Sequence, residues 1–341
     1  MSEPVSNRGM RGVIVIGTSA GGPEALRQLV RGLPSGLEAA VLIVQHIAPN
    51  AESLLPELLS RAGSLPAGHA HEGERPLPGH IYIAPPDRHL ILARGRMHLS
   101  AGPRENFARP AIDVLFRSAA WAYGSAVIGI VLTGMLSDGT AGLWEVKQYG
   151  GVAVVQTLRD AAFPSMPYNA MNQVPVDYVL PVAEMPALLA KLLRNGGRRM
   201  VEARDSDAGK PGEASVERDS AEQVAGERDG KLTVFTCPEC GGSLWQANAG
   251  PTLRFRCHVG HVYYADHLLN GLTENLERAL WFGIRTLRDR AHLAGQVAGE
   301  CRRSGDEAGA ARYEESARTD DEHAERLREM LTAATTTNHA G

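Results

Sequence analysis

Cysteine is scarce in this chain. Among 341 residues there are four, at positions 237, 240, 257 and 301, and the first 236 residues have none. Usage this sparse argues against a disulfide framework and fits a reducing, cytoplasmic setting. Long apolar runs are missing too. The longest, around Ala126–Leu132, is too short to cross a bilayer, and the polar start Met1–Met10 lacks the apolar centre of a signal peptide. Direct membrane insertion is therefore not expected. Neither sign of charge dominates: 35 basic residues face 39 acidic ones, a net charge of −4. No global attraction to nucleic acid or to a membrane surface follows from that balance. What remains, 43% hydrophobic and 22% charged residues, is ordinary for a soluble protein with room for two or three domains.

Residues 11–195 read as alternating strands and helices. Val13–Ile16, Ala40–Val44, His80–Ala84, Ala126–Leu132 and Gly151–Val155 are short apolar runs, and Pro23–Leu33, Ala51–Arg61, Ala111–Tyr123 and Thr140–Tyr149 have helical spacing. Alternation of this kind predicts an α/β fold, a doubly wound parallel sheet with helices on both faces. His80–Ala84 and His89–Leu92 flank Pro85-Pro86-Asp87, which predicts a local hairpin. Residues 1–10 read as a tail and 196–230, rich in Gly, Ser, Ala and alternating charge, as a disordered linker. A cysteine–histidine segment follows over 231–267. The leucine-rich spacing after it predicts a long amphipathic helix to about Arg302, a break at Arg303–Asp306 and a second helix from Glu307 to Leu331, a hairpin over 268–335.

The run Gly17-Thr18-Ser19-Ala20-Gly21-Gly22 lies between the first strand and the first helix. A serine on such a turn stands at the carboxyl edge of the sheet, beside backbone N–H groups of the turn and the helix start. That suits a nucleophile with an anion site, and equally a phosphate cradle. The run lacks G-x-G-x-x-G and a Gly-Lys-Ser/Thr ending, and no acidic residue closes the second strand. Instead His46 follows the second apolar run, and Asp138 sits in the loop after Val127–Leu132. Base and orienting acid at neighbouring strand ends would serve a serine nucleophile. A nucleotide-binding module remains the rival reading of the turn.

Five ordered stretches, GTSAGGPEAL at 17–26, VQHI at 44–47, LPGHIYIAPPDRHL at 77–90, RPAIDVLF at 109–116 and LTGMLSDGTAG at 132–142, resemble the catalytic domain of the CheB family of chemotaxis protein-glutamate methylesterases. The resemblance covers about 11–195. It implies a modified, Rossmann-like three-layer fold with Ser19 as nucleophile, His46 as base and Asp138 as orienting acid. It also implies an oxyanion supported by the backbone near Met135 and by the Thr18, Ala20, Gly21 and Gly22 turn, with no catalytic cofactor. The implied substrates are γ-glutamyl methyl esters, and certain glutamines, on the cytoplasmic helices of chemoreceptors. Well-known members carry a receiver domain ahead of the esterase. Here the esterase pattern starts within about a dozen residues of Met1, so control is expected either to come from elsewhere, such as a separate regulator protein, or to be absent. The loop 103–110 is either a receptor contact or a plain connection; His69, His71, His80, His89 and His98 read as surface or structural residues.

Cys237-x2-Cys240, then Cys257-x3-His261 after 16 intervening residues, has the spacing of a zinc ribbon. His261 is the expected fourth ligand and His258 its rival. Four protein ligands make such a site closed and structural. A thioredoxin-like role for Cys237 and Cys240 lacks the βαβ unit it needs. Lys231, Arg254 and Arg256 offer only a thin basic face, too little for nucleic acid. A competing reading of the whole is a signalling adaptor with a vestigial esterase, binding partners through ribbon and helices.

Overall fold

The structure, a computed structural model, describes residues 10–195, 230–249 and 252–338. The expected tail and linker lie outside those residues, apart from Met10 and Gly230. Two compact units emerge, residues 1–268 and 269–341.

The first unit is built on seven parallel strands in the order β3-β4-β2-β1-β7-β8-β9. They are β1 (Gly12–Thr18), β2 (Ala39–Gln45), β3 (Ala67–His69), β4 (Ile81–Ile83), β7 (Val127–Val131), β8 (Val152–Gln156) and β9 (Tyr178–Leu180). Six helices, α1 (Gly22–Arg31), α2 (Leu55–Ala62), α3 (Ile112–Tyr123), α4 (Thr140–Gln148), α5 (Ser165–Gln173) and α6 (Met185–Asn195), cover it. Both faces are dry, which is why β1 and β2 are apolar throughout rather than alternating. Val13 and Val15 pack with Leu115, Phe116, Leu143 and Met166 on one face, while Ile14 and Ile16 pack with Leu26, Leu29, Leu59 and Leu189 on the other. The expected three-layer α/β architecture is present.

The expected hairpin between His80–Ala84 and His89–Leu92 is not. β4 enters the parallel sheet between β2 and β3, and β5 (His89–Ala93) instead pairs with β6 (Arg96–Ser100). The turn that decides this is Arg94-Gly95, both left-handed at φ 48 and 70. Two such residues make the tight hairpin turn that Pro85-Pro86 cannot, since proline fixes φ near −65°.

A four-stranded antiparallel sheet, β10 (Lys231–Thr236), β11 (Ser243–Ala249), β12 (Thr252–Cys257) and β13 (Val262–Tyr264), completes the first unit. The second unit contains most of α7 (Ala265–Arg303) and all of α8 (Glu307–Asn338), which runs past the expected Leu331. Ile284, Leu280 and Leu287 of α7 meet Ala324, Leu327 and Leu331 of α8, with Arg290–Asp320 and Arg302–Glu314 ion pairs along the contact.

The end of β1 lies very close to the start of α3. A Cβ at Gly17 would come within 2.2 Å of Ile112 Cγ2. Gly17→Ala should therefore push α3 outward and cost about 1–3 kcal/mol by overpacking, read from urea melts; unaltered stability would mean that α3 yields freely there.

Candidate active site

In an open parallel sheet, ligands collect at the carboxyl edge where strand order reverses. Here that place lies around β1, whose neighbours β2 and β7 leave in opposite directions. Ser19, His46 and Asp138 follow β1, β2 and β7 respectively. Backbone bonds stitch these strand ends together. Ser19 N–H and the Thr18 hydroxyl both donate to the Thr133 carbonyl, at 3.0 and 2.9 Å, and His46 N–H donates to Thr18 O at 3.1 Å. Gln45 Nε2 donates to the carbonyls of Ser19 and His46, each at 2.9 Å. A Cβ at Gly134 would sit 2.9 Å from Ser19 Cβ, so only glycine lets the β7 loop approach the serine.

His46 Nε2 lies 2.8 Å from Asp138 Oδ2. Bonding through Nε2 leaves Nδ1 as the ring nitrogen open to other partners. The Ser19 hydroxyl makes no hydrogen bond to the ring among the described contacts; such bonds are often loose until substrate binds. Beside Ser19 the helix start carries no side-chain cap. Gly21 is left-handed at φ 77 and Gly22 N–H returns to Ser19 O at 3.0 Å. Met135 is exposed, and the next residue, Leu136, is held at φ 61 with its carbonyl accepting from Asn169 Nδ2 at 2.8 Å. Left-handed backbone at a leucine is strained and belongs to places where a loop is fixed for use.

Asp138 is fully buried. Burial alone would raise its pKa, but the bond to His46, that ring's charge and the Ile112 N–H at 2.7 Å outweigh it and hold the carboxyl well below its usual range. The Asp113 N–H at 3.3 Å and Asn106 Nδ2 at 3.1 Å serve the other oxygen. Asp113 behaves oppositely. Burial, then the charges of Asp138 and Glu105, push it well above the carboxylate range. Its Oδ1 accepts from Gly139 and Gly142 N–H at 3.0 and 2.6 Å, bracing the loop that carries Asp138. Glu105, buried beside them, is ionised against Arg117 through a forked pair at 3.0 and 2.8 Å. The sequence marks neither Asp113 nor Arg117 individually, and it marks Glu105 and Asn106 only as members of the 103–110 loop. Asp113 lay inside the RPAIDVLF stretch, which is the signal that could have found it.

An open cleft of about 440 Å³ runs from His46–Pro49 along residues 104–110, with Arg104 and Arg109 on its wall. Arg109 is tied to Asp87 at 2.7 Å and to the Gly102 carbonyl at 2.6 Å, whereas the Arg104 guanidinium pairs with Glu239 at a longer 3.8 Å.

The second cluster stands in the four-stranded sheet. One ligand atom each from Cys237, Cys240, Cys257 and His261 lies within 4.8 Å of the others, with His261 presenting Nδ1 to Cys237 and Cys257. Three sulfurs and an imidazole at this spacing fit a tetrahedral zinc. His258 is outside the group; its ring covers Gly242, where a Cβ would meet it at 2.2 Å. Arg254 and Arg256 line an inner cleft against α3 together with Arg117 and Trp121, rather than an outer basic face. Among the described residues no helix is long and apolar enough to cross a membrane.

Residues 14–189 match the family profile described as CheB methylesterase. The chain is 38% identical over 193 residues to protein-glutamate methylesterase/protein-glutamine glutaminase 2 of Methanosarcina mazei, covering 54% of this chain and 53% of that protein. It is 38% identical over 183 residues to a putative protein-glutamate methylesterase/protein-glutamine glutaminase of Leptospira interrogans, covering 53% of this chain and 95% of that one. The crystal structure of the Thermotoga maritima CheB methylesterase catalytic domain superposes with a TM-score of 0.51 at 35% identity, over 53% of this chain and 98% of that one. The chain thus spans about half the length of the Methanosarcina relative and nearly all of the other two.

The depressed pKa of Asp138 has a measurable consequence. Its folded value lies below the ordinary carboxylate value of about 3.9, so the ionised form contributes stability above that pH, lost as pH falls through the folded value. Wild type should exceed Asp138→Asn by on the order of 1.5–3 kcal/mol near neutrality, and the gap should close as pH drops below about 4. Denaturant melts across that range check it; a constant gap would mean that Asp138 is not the charged partner.

Proposed function

The chain belongs to the CheB methylesterase family, and from that membership we propose that it hydrolyses γ-glutamyl methyl esters on chemoreceptors through Ser19, His46 and Asp138. The observation that carries this reading is the placement of a serine turn, an imidazole and a buried carboxylate at three adjoining strand ends, with the last two bonded at 2.8 Å.

The geometry supports the following steps. Asp138 accepts the Nε2–H of His46, which fixes the tautomer and leaves the Nδ1 lone pair for the serine proton. Ser19 Oγ adds to the ester carbonyl as that proton moves to Nδ1. The oxyanion faces backbone N–H groups of Ala20, Gly21 and Met135, with the start of α1 adding its dipole. Collapse of the intermediate breaks the C–O bond, and Nδ1 returns the proton to departing methanol. Water repeats the cycle on the acyl-serine and frees a glutamate carboxylate. A glutamine side chain would follow the same course with ammonia leaving. Thr18 and Gly22 hold the turn, and no cofactor takes part in these steps.

The cleft beside His46 is where we place the receptor segment. Its arginine-bearing wall suits the acidic face of a helix, with Arg104 the more loosely held cation. We assign Cys237, Cys240, Cys257 and His261 as ligands of one zinc ion, which would cross-link β10, β12 and β13 and leave no open coordination position. The setting we propose is the cytoplasm, where thiolates stay reduced.

Ser19→Ala should fold normally and release no methanol from methylated receptor above background; wild-type release from that variant would remove Ser19 from the mechanism. Metal analysis of the purified full chain should return about one zinc per chain, and Cys237→Ser should lose it; a metal-free, folded wild type would overturn the ligand assignment.

A further inference from the structure

Asp138 is served by a residue whose conformation depends on the ribbon. Asn106 and Phe107 form the centre of a tight turn closed by Glu105 N–H to Ala108 O at 3.3 Å and Ala108 N–H to Glu105 O at 3.0 Å. Both are left-handed, at φ 54 and 62. Asparagine tolerates that region, but a bulky aromatic residue there is an outlier that neighbouring structure must impose.

That neighbour is β13. Asn106 N–H donates to Val262 O at 2.8 Å, and Val262 N–H donates to Arg104 O at 3.2 Å. The Phe107 ring packs on Tyr263 with centroids 4.8 Å apart. Tyr264 N–H donates to Asn106 Oδ1 at 3.1 Å. This last bond orients the amide. With its oxygen committed to a backbone N–H, the NH2 group must face the other way, where it donates to Asp138 Oδ1 and Asp113 Oδ2, each at 3.1 Å. Reversing the amide would set donor against donor at Tyr264 and acceptor against carboxylate at Asp138.

Strand β13 is in turn an extension of the cysteine–histidine cluster. His261 immediately precedes it, Cys257 N–H donates to His261 O at 3.0 Å, and the Tyr263 hydroxyl lies 3.2 Å from Cys237 Sγ. We propose that Asn106 is a positioning residue of the esterase site, oriented by β13, so that metal loading of the ribbon governs how Asp138 is presented to His46. The inference rests on the esterase reading above. The ribbon then acts as part of the active-site scaffold, although none of its side chains touches the reacting atoms.

The test compares full-length wild type with Asn106→Gly, since glycine keeps the left-handed backbone and removes only the amide. A fluorophosphonate probe is followed by intact-protein mass spectrometry and peptide mapping at Ser19. The variant should label about 10- to 100-fold more slowly while still melting cooperatively, at a somewhat lower temperature because buried partners lose their hydrogen bonds, with kcat on methylated receptor reduced and KM held. Asn106→Asp, which keeps the acceptor for Tyr264 but replaces the donors, should not restore the rate. Stripping the metal with a chelator should speed hydrogen exchange of the 103–110 peptide and slow labelling, and added zinc should reverse both. Wild-type labelling by Asn106→Gly, or exchange over 103–110 indifferent to the metal, overturns the inference while leaving the esterase reading intact. A wild type that fails to label at Ser19 overturns both.

Discussion

Everything at the carboxyl edge of the sheet is arranged around one ionised carboxylate kept out of water. A lone charge in so dry a place would be far too costly, and the usual escape is protonation. Asp138 avoids that by gathering donors from three separate parts of the chain: the His46 ring after β2, the Ile112 and Asp113 N–H groups at the start of α3, and the Asn106 amide. The neighbouring carboxyl, Asp113, is pushed the opposite way, well above the carboxylate range, by burial and by the charges of Asp138 and Glu105. The close approach of β1 to α3 at Gly17, the bracing of the Asp138 loop and the orientation of His46 all serve that one charge.

In the proposed mechanism the helix start beside Ser19 and the buried carboxylate divide the electrostatic work. The first offers partial positive charge to a negative oxygen that exists only during reaction. The second offers full negative charge to an imidazole that becomes positive at the same moment. Both fields are set before substrate arrives, because the groups that make them are locked by backbone bonds such as those converging on Thr133 O.

Much of this was legible in the sequence, and the reason is periodicity. Val13–Ile16 and Ala40–Val44 are unbroken apolar runs because both sheet faces are covered, and a run of that kind marks a buried strand with little ambiguity. Ser19, His46 and Asp138 stood out since each lies in the short segment that follows such a run. The cysteine–histidine spacing was equally plain, as ligand geometry fixes short separations. Other features had no local signal. β3 is only three residues long, and the β5–β6 turn depends on left-handed Arg94, a conformation that sequence alone favours for glycine or asparagine. Asn106 looked like any loop asparagine, because its partners Asp138 and Tyr264 are 32 and 158 residues away along the chain.

Those separations bear on how the protein is made. The Thr18–Thr133 and His46–Asp138 bonds close loops of 115 and 92 residues, and the Tyr264–Asn106 bond closes one of 158. Contacts so distant in sequence carry a larger loop-closure cost than those within helices and hairpins. During synthesis the nucleophile turn leaves the ribosome first, the carboxylate more than a hundred residues afterwards, and β13 last of the three. A nascent chain therefore passes through a long interval in which its serine is present and its orienting groups are not yet assembled. The order of the elements along the chain thus sets the order in which this sheet edge can be completed: Ser19 first, Asp138 later, and the contact of β13 with Asn106 last.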